Sequence, residues 1–370
     1  MKIIIAGDFC PQNRVAKLFD NDNFSDVLGE VKPIIKEADY SIVNFECAVT
    51  HGVEKPIKKI GPNLQCTEKG IEAIKWAGFD CVTLANNHFY DYGDDGVANT
   101  LNACLDLGID FVGGGINLSE ASKTIYREIN GQTLAIINCC EHEFSIATEN
   151  TGGCNPLNPI RQFYAIREAR NNADYVLIVI HGGHEMWQLP SPRMVETYRF
   201  FIDSGADIVV NHHQHCFSGY EFYQGKPIVY GLGNFCFDKL AYYSGLWDFG
   251  YMLKVQLESS IKIDVIPYQQ CGKEPKVELL RNMDLFSSKL DYLNEIIASS
   301  TILQSETDGY YSKNRKAILM NFEPYFGKIL YKLYLKKWLP SFMTKRRIMQ
   351  LQNILLCESH RDKVLNALSH

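Results

Sequence analysis

Apolar runs alternate with segments of helical periodicity along roughly the first two-thirds of the chain. Several of the runs are apolar nearly throughout, which is typical of strands covered on both faces of a sheet. We predict strands at residues 2–6, 40–45, 81–85, 109–112, 133–139, 175–180, 207–210 and 227–230.

Helical patterns fill the intervals between these runs. They are predicted at residues 68–77, 96–107, 160–172 and 193–204. Gly78, Gly108 and Gly205 each follow such a segment, where a helix commonly ends on a glycine. This alternation of strand and helix predicts an α/β fold with much parallel pairing.

Chemically capable side chains follow five of the predicted strands. In parallel α/β folds the carboxyl ends of the strands meet at one edge, where ligands bind. Carboxylate and amide oxygens together with imidazole nitrogens are what a site for one or two divalent metals needs. The residues in question are Asp8, Asn44, Glu46, Asn87, His88, His181, His213 and His215.

Each of these residues also has a structural explanation. A lone Asp8 or Asn44 at a strand end commonly caps the following helix, and a lone His181 is commonly a hydrogen-bonded core residue. Their joint occurrence favours a metal site. In an extended segment, His213 and His215 point to the same side, where two imidazoles can contribute to such a site.

The order and spacing of the motifs resemble the CapA family, the poly-γ-glutamate capsule-synthesis proteins, whose domain has the calcineurin-like metallophosphoesterase fold. The resemblance runs from residue 1 to about residue 270. The combination of Asn-Asn-His-x-x-Asp-x-Gly with His-x-His is specific. The matching stretches are Gly7-Asp8, Asn44-Phe45-Glu46, Asn86-Asn87-His88 with Asp91 and Gly93, Gly113-Gly114-Gly115, His181-Gly182-Gly183-His184-Glu185, His213-Gln214-His215 and Gly231-Leu232-Gly233-Asn234-Phe235.

The resemblance implies a four-layer αββα sandwich and a centre for one or two divalent ions of Mn, Fe, Zn or Mg. By that resemblance Asp8 and His215 bind one metal, and Glu46 takes the bridging position. Asn87, His181 and His213 then bind the second metal.

In such a centre two metals acidify a water and clamp a phosphoryl group. The resemblance gives His88 the role of protonating the leaving group. Glu185 either orients a ligand imidazole or contacts substrate, and its alternative is a simple pair with a nearby Lys or Arg.

Four positions depart from the pattern. Phosphoesterases have Asp-x-His at the first strand end, whereas this chain has Cys10 in place of the histidine. Cys10 is either a thiolate ligand or a buried inert thiol. Glu46 replaces the usual aspartate, Gly182 the family's tryptophan and Gln214 its proline. These differences predict one tightly held ion and a second, weaker one.

Other polar residues have mainly structural explanations. Lys58 and Lys59 are predicted in a solvated loop, with contact to an anionic substrate as the alternative. Asp91 is predicted to start the next helix, and His142 to line the edge of the site. His184 and His212 point away from their neighbours in an extended segment. We therefore expect them behind the ligands or in the core, with substrate contact as the minor alternative.

Composition describes a globular protein with 46% apolar residues and a net charge of −6. That charge gives no reason to expect nucleic acid as a partner. The first residues do not resemble a secretory signal, and no apolar run is long enough to span a bilayer, so a cytoplasmic location is expected. The 12 cysteines contain no Cys-x-x-Cys pair and fit reduced, buried thiols.

The strand rhythm stops near residue 270, which predicts a family domain at 1–270 and a helical extension at 271–370. Helices are predicted at 279–299 and 317–339. Residues 324–357 contain no acidic residue and interleave lysine and arginine with aromatic residues. Such a helix can lie on the inner, anionic face of a membrane, or pack against its own core or an acidic partner.

These features predict a metal-dependent hydrolase that acts in capsule or cell-surface polymer biosynthesis on an anionic small molecule or polymer. The alternative is an accessory protein that presents such a polymer or an intermediate to a capsule-synthesis partner. The histidine missing at position 10 favours the accessory protein, and the Asn87-His88 pair favours the hydrolase.

Overall fold

The structure is a computed structural model that describes residues 1–239, 245–325 and 327–368, except for the side chains of 358, 362 and 365–367. It divides into two compact units, Met1–Leu303 and Gln304–His370. The family domain predicted at residues 1–270 lies within the first unit. No helix among the described residues is both long and apolar enough to cross a membrane.

The elements of the described chain are numbered in order. The strands are β1 (Lys2–Cys10), β2 (Tyr40–Phe45), β3 (Ala48–Val49), β4 (Gln65–Cys66), β5 (Cys81–Thr83), β6 (Asp110–Val112), β7 (Gly114–Gly115), β8 (Ile125–Ile129), β9 (Gln132–Cys140), β10 (Gly153–Cys154), β11 (Tyr175–His181), β12 (Ile208–His212), β13 (Tyr220–Tyr223), β14 (Lys226–Val229), β15 (Asn234–Phe237), β16 (Phe249–Leu257), β17 (Ile261–Gln270) and β18 (Val277–Leu279).

The helices include every segment predicted in the first two-thirds of the chain. Short 3-10 turns occur at Leu246–Asp248 and Met320–Phe322. The α-helices are α1 (Asn13–Phe19), α2 (Phe24–Leu28), α3 (Lys32–Ile35), α4 (Lys69–Ala77), α5 (Gly93–Asp106), α6 (Leu118–Ala121), α7 (Pro159–Asn172), α8 (Pro192–Ser204), α9 (Asp284–Ala298), α10 (Ser300–Leu319), α11 (Lys328–Leu335), α12 (Lys345–Leu356) and α13 (Glu358–Leu368).

Two large sheets carry the first unit. One has the order β18-β17-β16-β1-β2-β5-β6, and β15 also pairs with β1. Here β1 runs parallel to β2 and β15 but antiparallel to β16. The other sheet has the order β13-β14-β12-β11-β9-β8, in which the four inner strands are parallel. All eight predicted strands are present, with ends shifted by a few residues.

The two faces of β1 pack against different layers, which explains its continuous apolar run. Ile3 and Ile5 share a core with β9, β11 and β12 of the other sheet. Ile4 and Ala6 share a second core with residues of α1, α2, α4 and α5. The far side of the other sheet is covered by α7 and α8, whose apolar faces belong to the first core. The result is the predicted four-layer αββα sandwich.

The second unit contains a break that the sequence did not predict. One helix was predicted at residues 317–339. In the structure α10 ends at Leu319, and α11 begins only at Lys328. Pro324 lacks an amide hydrogen, and Gly327 has a φ of 89°. Both are incompatible with a continuous helix at this point.

Candidate metal centre

Asp8 is fully buried where β1 shifts register between two neighbouring strands. Asn44 Nδ2 donates to its Oδ1 at 2.7 Å, and the backbone N–H of His213 donates to its Oδ2 at 3.2 Å. Burial nevertheless raises the pKa of Asp8 to about 7, because the two hydrogen bonds compensate only in part. A nearby cation would offset the remaining desolvation.

Glu46 follows β2 directly and is also fully buried. Neither of its carboxylate oxygens has a hydrogen-bond partner among the described residues. Burial, followed by the charge of Asp8, raises the pKa of Glu46 well above its usual range. Buried polar atoms are nearly always paired in native proteins, so this carboxylate indicates a missing positive partner.

Imidazole nitrogens converge on the Glu46 carboxylate from two directions. Glu46 Oε1 lies 3.6 Å from His181 Nε2 and 3.7 Å from His215 Nε2. These separations are too long for hydrogen bonds but suit ligands that share an ion. His181 Nε2 also lies 3.0 Å from both His213 Nδ1 and Asn87 Oδ1.

Two groups of possible ligands therefore share Glu46. One consists of Glu46, His181 and His213, and the other of Asp8, Glu46 and His215. Within each group the ligand atoms lie within 4.8 Å of one another. Asn87 Oδ1 adjoins the first group through His181. The sequence-predicted ligand residues thus lie together in the predicted pairs.

The imidazoles of this cluster are held neutral, which is the form that binds metal. Burial lowers the pKa of His181 and of His215 well below the usual value, and neighbouring histidines lower both further. Burial also lowers the pKa of His213. Neutral imidazoles beside two buried carboxylates, of which Glu46 has no hydrogen-bond partner among the described residues, fit a pair of divalent ions, so the residues present are suitable for the predicted group.

Asn234 fixes the orientation of His215. Its Nδ2 donates to the carbonyl oxygens of His215 and Trp247, at 3.1 and 3.2 Å, which leaves its Oδ1 as an acceptor. That oxygen lies 2.9 Å from His215 Nδ1, so Nδ1 carries the proton. His215 Nε2 then presents its lone pair toward Glu46. The motif that contains Asn234 gives no sign of this contact in the sequence.

His213 and His215 reach their places by a different geometry from the one predicted. Strand β12 ends at His212, and both residues have left-handed backbones, with φ of 91° and 54°. The interpretation of an extended segment with both rings on one side is therefore wrong. The turn separates the two rings, with centroids 6.1 Å apart, and assigns them to different ligand groups.

His88 lies beside the cluster in a network with Asp91 and Lys59. Its Nδ1 is 2.7 Å from Asp91 Oδ2 and 3.2 Å from Lys59 Nζ, and Lys59 forms an ion pair with Asp91. The Lys59 side chain is only 2% exposed, so the prediction of a solvated loop lysine is wrong. Asp91 likewise orients His88 rather than starting a helix, since α5 begins at Gly93.

Acidic residues form the rim on the His213 side. Glu143 Oε1 lies 3.8 Å from His213 Nε2 and was missed by the sequence analysis, although it adjoins His142. Glu185 is exposed and interacts through its charge with Glu46 and His213. Among the described residues no hydrogen bond joins Glu185 to a ligand imidazole. Its charge also acts on Lys239, so the predicted alternative of a pair with a nearby lysine stays open beside substrate contact.

Three further histidines lie outside the ligand groups. His212 is buried with Nε2 3.2 Å from the carbonyl oxygen of Ala6, and burial lowers its pKa to about 4. His184 is half-buried, which lowers its pKa. His142 is exposed and lines a separate cavity of about 290 Å³ beside Glu141.

Cys10 does not join either ligand group of the described residues. It is fully buried, and its thiol is hydrogen-bonded with that of Cys47. Burial raises its pKa, which disfavours the thiolate that a metal would need. The geometry therefore agrees with the buried-thiol alternative for this position.

A comparison with known protein families identifies the family of this chain. The model of a family described as "Bacterial capsule synthesis protein PGA_cap" matches residues 2–239. The chain belongs to this family. The PGA_cap match includes every residue of the two ligand groups and the His88 network.

Curated relatives agree with the family. The chain is 32% identical over 247 residues to "Capsule biosynthesis protein CapA" of Bacillus anthracis, a match that covers 65% of this chain and 60% of that protein. It is 34% identical over 238 residues to "PGA biosynthesis protein CapA" of Bacillus subtilis (strain 168), which covers 63% and 62%. The match thus spans about three-fifths of the length of these PGA_cap relatives.

Solved structures with partial similarity include a novel phosphatase from Mycoplasma pneumoniae, at 16% identity and a TM-score of 0.46 over 76% of this chain and 95% of that one. A putative 5'-nucleotidase from Staphylococcus aureus has 13% identity and a TM-score of 0.44, over 80% and 58%.

Proposed function

We propose that this protein is a metal-dependent hydrolase of the phosphoesterase type that acts in the biosynthesis of a capsule or cell-surface polymer. The observation that carries the proposal is Glu46. Its buried carboxylate lacks a hydrogen-bond partner among the described residues and belongs to both ligand groups. A single carboxylate shared in this way suits two neighbouring ions, whose identity among Mn, Fe, Zn and Mg stays open.

Each residue of the site has its own role in this proposal. Asp8, Glu46 and His215 would hold one ion, while Asn87, His181 and His213 would complete the second around the same Glu46. Divalent ions in such a pair supply an acidified water and neutralise phosphoryl charge. His88, oriented by Asp91, would give a proton to the leaving oxygen. Glu185 at the rim would contact the substrate.

The test is metal analysis combined with a panel of phosphate mono- and diesters. We expect bound divalent metal and turnover of at least one ester. His88→Ala should lose turnover by about 100-fold or more while retaining the metal, because general acids typically contribute about 10²–10⁴-fold. Metal-loaded protein that turns over no ester would contradict the hydrolase.

A second candidate is an accessory protein that uses the same cleft to bind an anionic polymer or intermediate for a partner synthetase. Cys10 favours it, since the thiol there is buried against Cys47 and leaves the Asp8 group one imidazole short. A relative from Mycobacterium tuberculosis, 27% identical over 226 residues, is described as a probable polyglutamine synthesis accessory protein. This candidate predicts metal-dependent polymer binding without turnover.

The C-terminal basic surface supports a peripheral contact with the inner, anionic face of the membrane. We define this surface by the exposed side chains of Lys328, Ile329, Lys332, Trp338 and Arg346. Ile329 and Trp338 are 76% and 72% exposed beside these cations. An exposed tryptophan among basic residues suits an anionic lipid interface.

Sedimentation with vesicles tests this contact. We expect co-sedimentation with phosphatidylglycerol vesicles at low salt and its loss on Trp338→Ser with Ile329→Ser. Pure phosphatidylcholine vesicles are the control for charge. Absence of binding to anionic vesicles at low salt would exclude the contact.

A further inference from the structure

The thiols of Cys10, Cys47 and Cys66 form a cluster next to the predicted ligand Glu46. Cys47 follows Glu46 in the chain and is fully buried. Its Sγ lies 3.6 Å from the Sγ of Cys66, and its thiol is also hydrogen-bonded with that of Cys10. We propose that Cys47 and Cys66 are an oxidation site that closes to a disulfide. This site is independent of the proposed hydrolysis.

A short ladder holds the backbone next to both thiols. Strands β3 and β4 form a parallel ladder in which Val49 pairs with Cys66, and Cys47 directly precedes β3, two residues before that partner. A disulfide has a sulfur–sulfur distance of about 2.0 Å, so closure requires an approach of about 1.6 Å. We expect rotation of the two side chains, with a local adjustment of the two-residue ladder, to supply this approach.

Cys66 is the member of the three that reaches solvent. Cys10 and Cys47 are buried, whereas Cys66 is partly exposed. It lines a cavity of about 570 Å³ together with Thr67, Lys69 and His51. A small oxidant can therefore reach Cys66 first, which favours the Cys47–Cys66 bond over the Cys10–Cys47 bond.

The chemistry balances with a peroxide as the oxidant. The Cys66 thiol releases its proton, and the thiolate attacks one oxygen of hydrogen peroxide. The oxygen–oxygen bond breaks to give a sulfenic acid and a hydroxide, which takes up the released proton as water. The thiol of Cys47 then attacks the Cys66 sulfur, and the hydroxyl leaves as a second water. The two thiols lose two electrons and two protons in all, and the peroxide takes them up.

The disulfide would close residues 48–65 into a loop. We name the part of this loop between β3 and β4 the strap (residues 50–64). The strap is fastened to Asp91 at several points: Ile57 N–H donates to its carbonyl oxygen at 2.9 Å, and Leu64 N–H to its Oδ2 at 2.6 Å. Lys59, also on the strap, pairs with the same carboxylate. Oxidation would therefore tie both ends of the segment that supports the His88 network.

The test treats the full chain with hydrogen peroxide, unfolds it in guanidinium chloride without reductant, blocks free thiols with N-ethylmaleimide and digests it without reduction. We expect a peptide that joins Cys47 to Cys66, the loss of two alkylatable thiols and their return with dithiothreitol. Cys66→Ser should keep Cys47 alkylatable. The matched control is Cys357→Ser, which removes the other partly exposed thiol and should leave the cross-link unchanged.

Two results would overturn the proposal. One is a Cys66 that stays alkylatable under conditions that oxidise Cys357, and the other is a cross-link from Cys47 to Cys10. Hydrogen exchange gives a second measurement on the same samples. Amides of residues 57–64 should exchange more slowly after oxidation in the wild-type chain and not in Cys66→Ser. Unchanged exchange in a cross-linked protein would contradict the role of the strap.

Discussion

Asn234 binds His215 twice, accepting from its ring Nδ1 at 2.9 Å and donating to its carbonyl oxygen at 3.1 Å. The first bond fixes the ring tautomer and the second fixes the backbone. Neighbours that orient a ligand in this way commonly alter metal affinity by about 10–100-fold. Asn234 is therefore a sensitive position for the Asp8–Glu46–His215 group.

Replacing Asn234 with leucine should weaken one ion and spare the other. In the described part of the chain no hydrogen bond joins Asn234 to the His181–His213 group, so we expect the bound metal to fall toward one ion per chain. Titration calorimetry with Mn²⁺ measures both affinities. Asn234→Asp, which keeps the acceptor, should be affected less. Equal weakening of both ions would contradict two separate groups.

Glu46→Gln should reduce the affinity for both ions by more than about 100-fold, because it removes the shared charge rather than an outer partner. The metal-free variant should be at least as stable as the wild type, since burial no longer acts on a charge there. Metal analysis and thermal unfolding measure the two effects. Glu185→Gln, at the exposed rim, is the control that should keep the metal.

The metal-free protein should lose stability as the pH rises from about 6.5 to about 8. The folded pKa of Asp8 is raised to about 7 from 3.8, and that of Glu46 is raised well above its usual value. Folded protein therefore holds protons that unfolded protein has released. Histidines with lowered pKa oppose this trend only below about 6.5.

Thermal unfolding at a series of pH values, with and without Mn²⁺, measures this dependence. Ionised carboxylates are the ligand form, so stabilisation by Mn²⁺ should grow with pH over the same window. A metal-free midpoint that rises with pH there would disagree with the buried, unpaired carboxylates.

Lys59→Met should reduce the free energy of unfolding by about 3 kcal/mol, because it leaves the buried Asp91 carboxylate without its cation. Lys58→Met is a matched control one residue away, where the side chain is exposed and the expected change is within about 0.5 kcal/mol. Chemical denaturation compares the two. Equal free energies of unfolding for the two variants would contradict the buried ion pair and favour the solvated loop lysine that was predicted from the sequence.

The sequence could predict that the ligand residues lie together. Apolar runs locate the strands, and the carboxyl ends of parallel strands meet at one edge of the sheet. Once β1 and β2 were located, parallel pairing placed Asp8 and Glu46 at a common edge. Motif resemblance then paired His213 with His181 and His215 with Asp8. These pairs agree with the two ligand groups of the structure.

Features that depend on side-chain reach or local turns were not predictable in this way. Lys59 enters from an irregular loop, where no periodicity indicates direction. The Cys47–Cys66 contact depends on a ladder of two residues, too short to leave a pattern. The left-handed turn at His213 was hidden because histidine rarely adopts that backbone.

The left-handed turn at His213 and His215 affects how the centre binds metal ions. His213 and His215 occupy an uncommon backbone region held by Asp8 and Asn234, so their conformational freedom is already lost when the chain folds. Little ordering then remains for the moment of ion capture. Association with a divalent ion should be limited by dehydration of the ion rather than by rearrangement of the loop, and the empty and filled centres should share one backbone.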